Sequence, residues 1–127
     1  MPAPSPLTIA TQSVNRLVKE DAYYRKSLAE QVQRVSKIEA DLKAGAAGSA
    51  DENAEFMLKQ EQKAVEETRA VFAPLRQRID EAVSRLEEQL AVAQSESESE
   101  SGSEAAEITK AKEALTTGKA AEQPPVE

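Results

Sequence analysis

From Leu7 the chain repeats apolar residues at alternating intervals of three and four. The successive positions are Leu7, Ala10, Val14, Leu17, Asp21, Tyr24, Leu28, Gln31, Val35, Ile38 and Leu42, and nine of these eleven are apolar. That is the period of one helix face, and Val18 and Val32 widen the stripe on one flank. Ser5 followed by Pro6 offers an N-cap and a proline at the first helical position. No proline or glycine interrupts residues 7–44, and Gly45 suits a C-terminal cap. The spacing therefore predicts a helix over about 6–44. At about 1.5 Å per residue it would run roughly 57 Å, a length that partner helices must support.

A short link, Gly45-Ala46-Ala47-Gly48, follows. Ser49 and Glu52 then have the spacing of a capping box, and Asp51, Glu52 and Glu55 place negative charge where the dipole of a second helix favours it. Two adjacent stripes run along this segment, Leu58, Val65 and Phe72 in one and Met57, Ala64 and Val71 in the other. An apolar face of that width suits a helix touching two neighbours. Pro74 disfavours helical geometry at Ala73 and removes a donor. Beyond it Leu75, Ile79, Val83, Leu86, Leu90 and Ala93 resume a helical period. Two architectures satisfy this pattern: an antiparallel three-helix bundle that reverses at Pro74, or a hairpin whose second arm is one long helix through Pro74.

Residues 95–104, Ser-Glu-Ser-Glu-Ser-Glu-Ser-Gly-Ser-Glu, are acidic and of low complexity, a composition that predicts disorder or a frayed helix end. Ile108, Ala111 and Leu115 then form a weak amphipathic turn or two, which predicts a short helix at about 104–117 and a loose end. With a second helix of only about 23 residues, Leu7, Val14, Leu17 and Val18 would project from the bundle as an uncovered seam, the kind of apolar patch that marks an interaction surface.

Composition explains why the pattern is lean. Of the 127 residues 22 are alanine, while Leu, Ile, Val and Phe together number 24, a share at the border of disorder for a highly charged chain. Four aromatic residues and no tryptophan cannot fill a mixed sheet-and-helix core, so the fold must be built from aliphatic seams. The absence of Cys and His removes thiol and imidazole catalysis, disulfides and Cys/His zinc sites. The four glycines form no phosphate-binding motif. Adjacent carboxylates such as Glu66/Glu67 and Glu87/Glu88 point about 100° apart on a helix and cannot share a substrate. These features predict a protein that is not an enzyme and carries no cofactor or metal.

The net charge of −7 argues against nucleic acid or an anionic membrane as partner. No stretch approaches a membrane span, and the N-terminal Met-Pro-Ala-Pro-Ser-Pro has no signal-peptide character, so a soluble cytoplasmic protein is expected. Residues 1–44 carry +2, residues 45–94 carry −4 and residues 95–127 carry −5. The basic side chains Arg16, Lys19, Arg25, Lys26, Arg34, Lys37 and Lys43 thus read as the only cationic concentration. They read either as ordinary flanks of a helical seam or as a contact for an acidic protein surface. Asp21 and Gln31, polar positions on the seam, either set register or meet a partner. Ser95, Ser97 and Ser101 each have glutamate three residues on, a spacing that acidophilic kinases accept, and are phosphorylation candidates.

The run Val14-Asn15-Arg16-Leu17-Val18-Lys19-Glu20, followed by Tyr24 and Lys26, resembles the opening helix of the tubulin-binding cofactor A family, small chaperones that handle β-tubulin after the chaperonin step. Asp51-Glu52-Asn53, Pro74 with Gln77-Arg78-Ile79, and Leu86-Glu87 fit the same family in order and spacing, so the resemblance covers residues 8–93. The serine/glutamate run looks like an insertion in or after the family's third helix, and Asp21-Ala22-Tyr23 departs from its usual residues. The resemblance implies an all-α fold: an elongated antiparallel three-helix bundle, coiled-coil-like, over residues 1–94. Its helices would lie at about 6–44, 50–72 and 74–94. The acidic segment 95–104 and the tail 105–127, with its weak short helix, would form a disordered C-terminal region. The same resemblance implies binding and sequestering of β-tubulin and its delivery toward the αβ-heterodimer, in the cytoplasm and beside the cytoskeleton. Arg16, Leu17, Lys19, Glu20, Tyr24 and Lys26 would be contact residues. Other tubulin-folding cofactors are implied as further partners, and a homodimer as a second form. The alternative is a structural coiled-coil protein that pairs its exposed first seam with itself or another helical subunit.

Overall fold

The computed structural model describes residues 3–45, 51–96 and 102–125. Three helices account for nearly all of them: α1 (Pro6–Lys43), α2 (Asp51–Glu96) and α3 (Gly102–Ala121). No strand occurs among the described residues, and the fold is an all-α helical bundle.

Both ends of α1 follow from local chemistry. The Thr8 amide donates to Ser5 Oγ at 3.1 Å, so Ser5 satisfies one of the orphan donors of the first turn. At the far end Gly45 adopts φ 68°, and its amide donates to the Leu42 carbonyl at 3.2 Å. A Cβ would be penalised in that left-handed conformation, which is why the helix stops at a glycine. Ser49 of the expected capping box lies outside the described residues.

Helix α2 departs from the expected reversal. It runs through Pro74 without interruption, so the third helix is not 74–94 but Gly102–Ala121. Proline removes one hydrogen bond to the carbonyl of Ala70, yet Ala70 and Pro74 are both exposed, where water can satisfy that acceptor. Meanwhile Phe72 and Leu75, on either side of the proline, are both buried. Packing on both sides thus outweighs one lost backbone bond.

The chain divides into two compact units, one formed by the residues up to Asp21 with Pro74–Pro124, the other by Ala22–Ala73 with the last residues. In the first unit, the opening half of α1, the closing half of α2 and α3 bury a common core. Leu7, Ala10, Val14 and Leu17 come from α1, Leu75, Ile79, Val83, Leu86 and Leu90 from α2, and Ala111, Ala114 and Ala121 from α3. Ser5 and Thr8 meet Glu107, and Val14 meets Gly118, so α3 runs parallel to α1. Lys119 pairs with Glu87 at 3.2 Å, and Val83 meets Gly118, within an antiparallel arrangement of α3 on α2. The seam expected to be uncovered is therefore largely covered: Leu7, Val14 and Leu17 are buried, and Val18 half-buried, because α2 continues past Pro74.

Helix α3 lies where a short helix was expected at about 104–117, and it extends that helix by a few residues at each end into segments expected to be disordered. Its buried face is Ala111, Ala114, Gly118 and Ala121, small residues at helical spacing, while Ile108 and Leu115 flank it half-buried. A Cβ on Gly118 would lie 2.8 Å from Val83 Cγ2 and 2.9 Å from Val14 Cγ1. Both neighbours are β-branched and stiff, so α3 approaches α1 and α2 to a distance that glycine alone allows. Of the serine/glutamate run, Ser95 and Glu96 form the last residues of α2, and residues 97–101 lie outside the described residues.

In the second unit the closing half of α1 pairs with the opening half of α2. Leu28, Val65 and Phe72 form its buried core, with Tyr24, Val32 and Val35 packed partly buried against it. Arg34 Nε pairs with Glu61 Oε2 at 3.3 Å across the two helices, an exposed contact worth at most about 1 kcal/mol.

Glu107 on α3 and Glu122 just past its end carry carboxyls shifted in opposite directions. Glu107 accepts hydrogen bonds from Thr8 Oγ1 at 2.6 Å and Ser5 Oγ at 2.9 Å, and these hold its carboxyl below the ordinary range. That contribution is present above the ordinary carboxylate pKa and is lost as pH falls through the lowered one. Burial, reinforced by Asp80 and Glu87, pushes the Glu122 carboxyl up. Its contribution is present below the ordinary pKa and is lost as pH rises through the raised one. Glu107→Gln is thus expected to lower the urea midpoint at neutral pH, and Glu122→Gln to raise it. Both differences should fade in acid, once the two carboxyls are protonated. Equal midpoints for the two variants at neutral pH would contradict this assignment.

Candidate partner-binding site

The contact residues expected from the sequence all lie on α1, and the structure places them differently. Arg16 and Lys19 are exposed and Glu20 is half-exposed, all in the first unit. Leu17 is only 8% exposed and is part of the core, so its side chain packs inward. This corrects its expected place on an open contact face: at most its edge forms the floor of a groove. In the second unit Tyr24 is half-buried against the Leu28, Val65 and Phe72 cluster, and Lys26 is exposed. Neighbouring Tyr23 is 65% exposed and meets Tyr24 edge-on, with ring centroids 5.3 Å apart and planes at 77°.

Arg16, Leu17 and Glu20 do come together, in a cleft of about 290 Å³ between α1 and α2 within the first unit. Ala10, Ser13 and Ala82 complete its floor and walls, and Arg78, Glu81 and Arg85 enter from α2. Arg78 and Arg85 were missed by sequence reasoning. The signal was present, since residues seven apart share a helix face. What hides them is the acidic balance of their own segment, since residues 45–94 carry −4. Three guanidinium groups against the two carboxylates Glu20 and Glu81 leave this cleft with a positive formal balance in a chain of net charge −7.

The other polar residues singled out from the sequence are placed as follows. Asp21 is buried within the helical packing, and Gln31 Oε1 is buried with no hydrogen-bond partner among the described residues. Ser95 is exposed in the last turn of α2, whereas Ser97 and Ser101 lie outside the described residues. Among the described residues, no group of carboxylates is arranged to hold a metal ion, and no helix is long and apolar enough to cross a membrane. The alternative of a coiled coil pairing through an exposed first seam loses its structural basis, because α2 and α3 cover that seam.

An all-α bundle whose candidate site is a charged groove on its helices defines a class: a helical binding protein. A family model described as Tubulin binding cofactor A matches residues 2–115, most of the chain, and the chain belongs to that family. No curated protein and no solved structure matches it. Membership makes the chain a tubulin-binding cofactor of the chaperone type.

Proposed function

We propose that the protein captures β-tubulin after the chaperonin step, keeps it from aggregating and passes it toward assembly of the αβ-heterodimer. It would do so in the cytoplasm, beside the cytoskeleton and together with other tubulin-folding cofactors. The family match over residues 2–115 carries this reading. The contacts proposed are Arg16, Lys19 and Glu20 in the first unit and Tyr24 and Lys26 in the second, with Leu17 supporting them from beneath. Both proteins are acidic, so net charge opposes their encounter, and local basic side chains with apolar burial must supply the affinity.

Charge reversal at Arg16 and Lys19 is the test. Both side chains are exposed, so the double variant should fold normally, and its retention of β-tubulin is expected to fall about tenfold or more. Unchanged retention with intact helicity would remove these residues from the interface. Self-association into a homodimer is a further property in keeping with the family, and sedimentation of the folded chain decides it.

Phosphorylation of Ser95, Ser97 and Ser101 is proposed from the Ser-x-x-Glu spacing. At Ser95 a phosphate would sit in the last turn of α2, which holds no basic side chain to offset it. Mass spectrometry of protein from its native cell should show the modified tail peptide. Recovery of that peptide wholly unmodified would contradict the proposal.

A further inference from the structure

We infer that the cleft between α1 and α2 in the first unit is a docking site for an acidic polypeptide segment, with Arg16, Arg78 and Arg85 receiving its carboxylates. The inference rests on the tubulin-capture reading only for which protein carries that segment. Three observations support it. First, the three arginines converge on one cleft of about 290 Å³ from two helices. Second, none of the three guanidinium groups has an ion-pair or hydrogen-bond partner among the described residues, whereas Arg34 and Lys119 have found carboxylates within the fold. Third, the edge of buried Leu17 gives the cleft an apolar floor, beside which a carboxylate–guanidinium pair is less screened than in open water.

Spacing and charge pattern select the ligand class. Arg78 and Arg85 stand seven residues apart on α2, a separation of about 10 Å along the helix axis. An extended peptide advances roughly 3.3 Å per residue and alternates its side chains between two faces, so acidic side chains two or four residues apart, about 7 or 13 Å, share a face and lie within reach of both long arginine side chains. Glu20 and Glu81 line the same cleft. A peptide turns alternate side chains away from the cleft and can rotate its flexible carboxylates off these two glutamates, but a nucleic-acid backbone or a lipid surface presents a fixed run of phosphates and would be repelled there. The chain's net charge of −7 adds to that repulsion at long range.

The experiment measures fluorescence anisotropy of labelled octaglutamate with the full chain at low ionic strength. Octaglutamine, a single-stranded oligonucleotide and phosphatidylserine vesicles serve as competitors. Arg78→Glu/Arg85→Glu reverses the charge, and Arg78→Gln/Arg85→Gln removes it with less perturbation. Lys59→Glu/Lys63→Glu makes an equal charge change on the exposed surface of the second unit, and circular dichroism checks that each variant keeps its helices. Octaglutamate is expected to bind the parent chain, and to bind both arginine variants about tenfold more weakly. The lysine variant should stay within about twofold, and octaglutamine should not compete.

Failure of octaglutamate to bind, an equal loss in the lysine variant, or stronger competition by the oligonucleotide or vesicles would each overturn the inference. Capture of β-tubulin without octaglutamate binding would overturn it while leaving the proposed function intact. Octaglutamate binding without tubulin capture would uphold the cleft and reject tubulin as its source of acidic peptide.

Discussion

Leu17→Ala is expected to lower the unfolding free energy by about 2–4 kcal/mol, read from urea denaturation of the full chain. The residue is 8% exposed and packs in a core closed by the second half of α2. Truncation would remove buried methyl groups and leave a space that a close-packed helical core closes only in part. Ile9→Ala provides the contrast on the same helix. Ile9 is 53% exposed, and its truncation should cost no more than about 0.5 kcal/mol. Had α2 turned back at Pro74, Leu17 would lie on an open seam and the two variants would cost alike. A Leu17 effect as small as that of Ile9 would therefore contradict the fold, beyond one packing contact.

Pro74→Ala should act in the other direction. Within a continuous helix proline forfeits one backbone hydrogen bond and crowds the preceding turn, at a cost of up to about 3 kcal/mol relative to alanine. Alanine also gives the unfolded chain more freedom, which offsets about 0.4–1 kcal/mol of the gain. A net stabilisation of about 1–2 kcal/mol is the expected result, seen as a higher urea midpoint with an unchanged slope. In a tight reversal the sign would invert, because there proline's fixed φ favours the turn. Destabilisation by Pro74→Ala would thus speak against the helix that runs from Asp51 to Glu96.

The contrast between the readable and hidden parts of the chain follows from which physical signals are local. Helix α1 was legible from end to end: a capping serine, a periodic seam and a terminal glycine each act within a few residues, and each is found in the structure. The apolar positions beyond Pro74 were also legible as helix. Their connection was not, because proline's local preference argues for a break while the packing of Phe72 and Leu75 that overrides it is tertiary.

Helix α3 was least visible. A periodicity argument weighs large side chains, and α3 buries Ala111, Ala114, Gly118 and Ala121 instead. Its docking depends on Val14 and Val83 lying close enough that Gly118 fits where a methyl would not, a relation between three distant segments. The charged cleft was half legible. Arg16 and Glu20 emerged from the pattern of α1, while Arg78 and Arg85 joined them only once the pairing of α1 with α2 was known.

Tubulin capture is the central claim, and an affinity experiment with immobilised full-length chain tests it most directly. The chain would be challenged, without nucleotide, with separated α- and β-tubulin folding intermediates released from a chaperonin. The account predicts that β-tubulin is retained in preference to α-tubulin. Retention of neither subunit, or of both alike, by a chain whose helices are intact would contradict it.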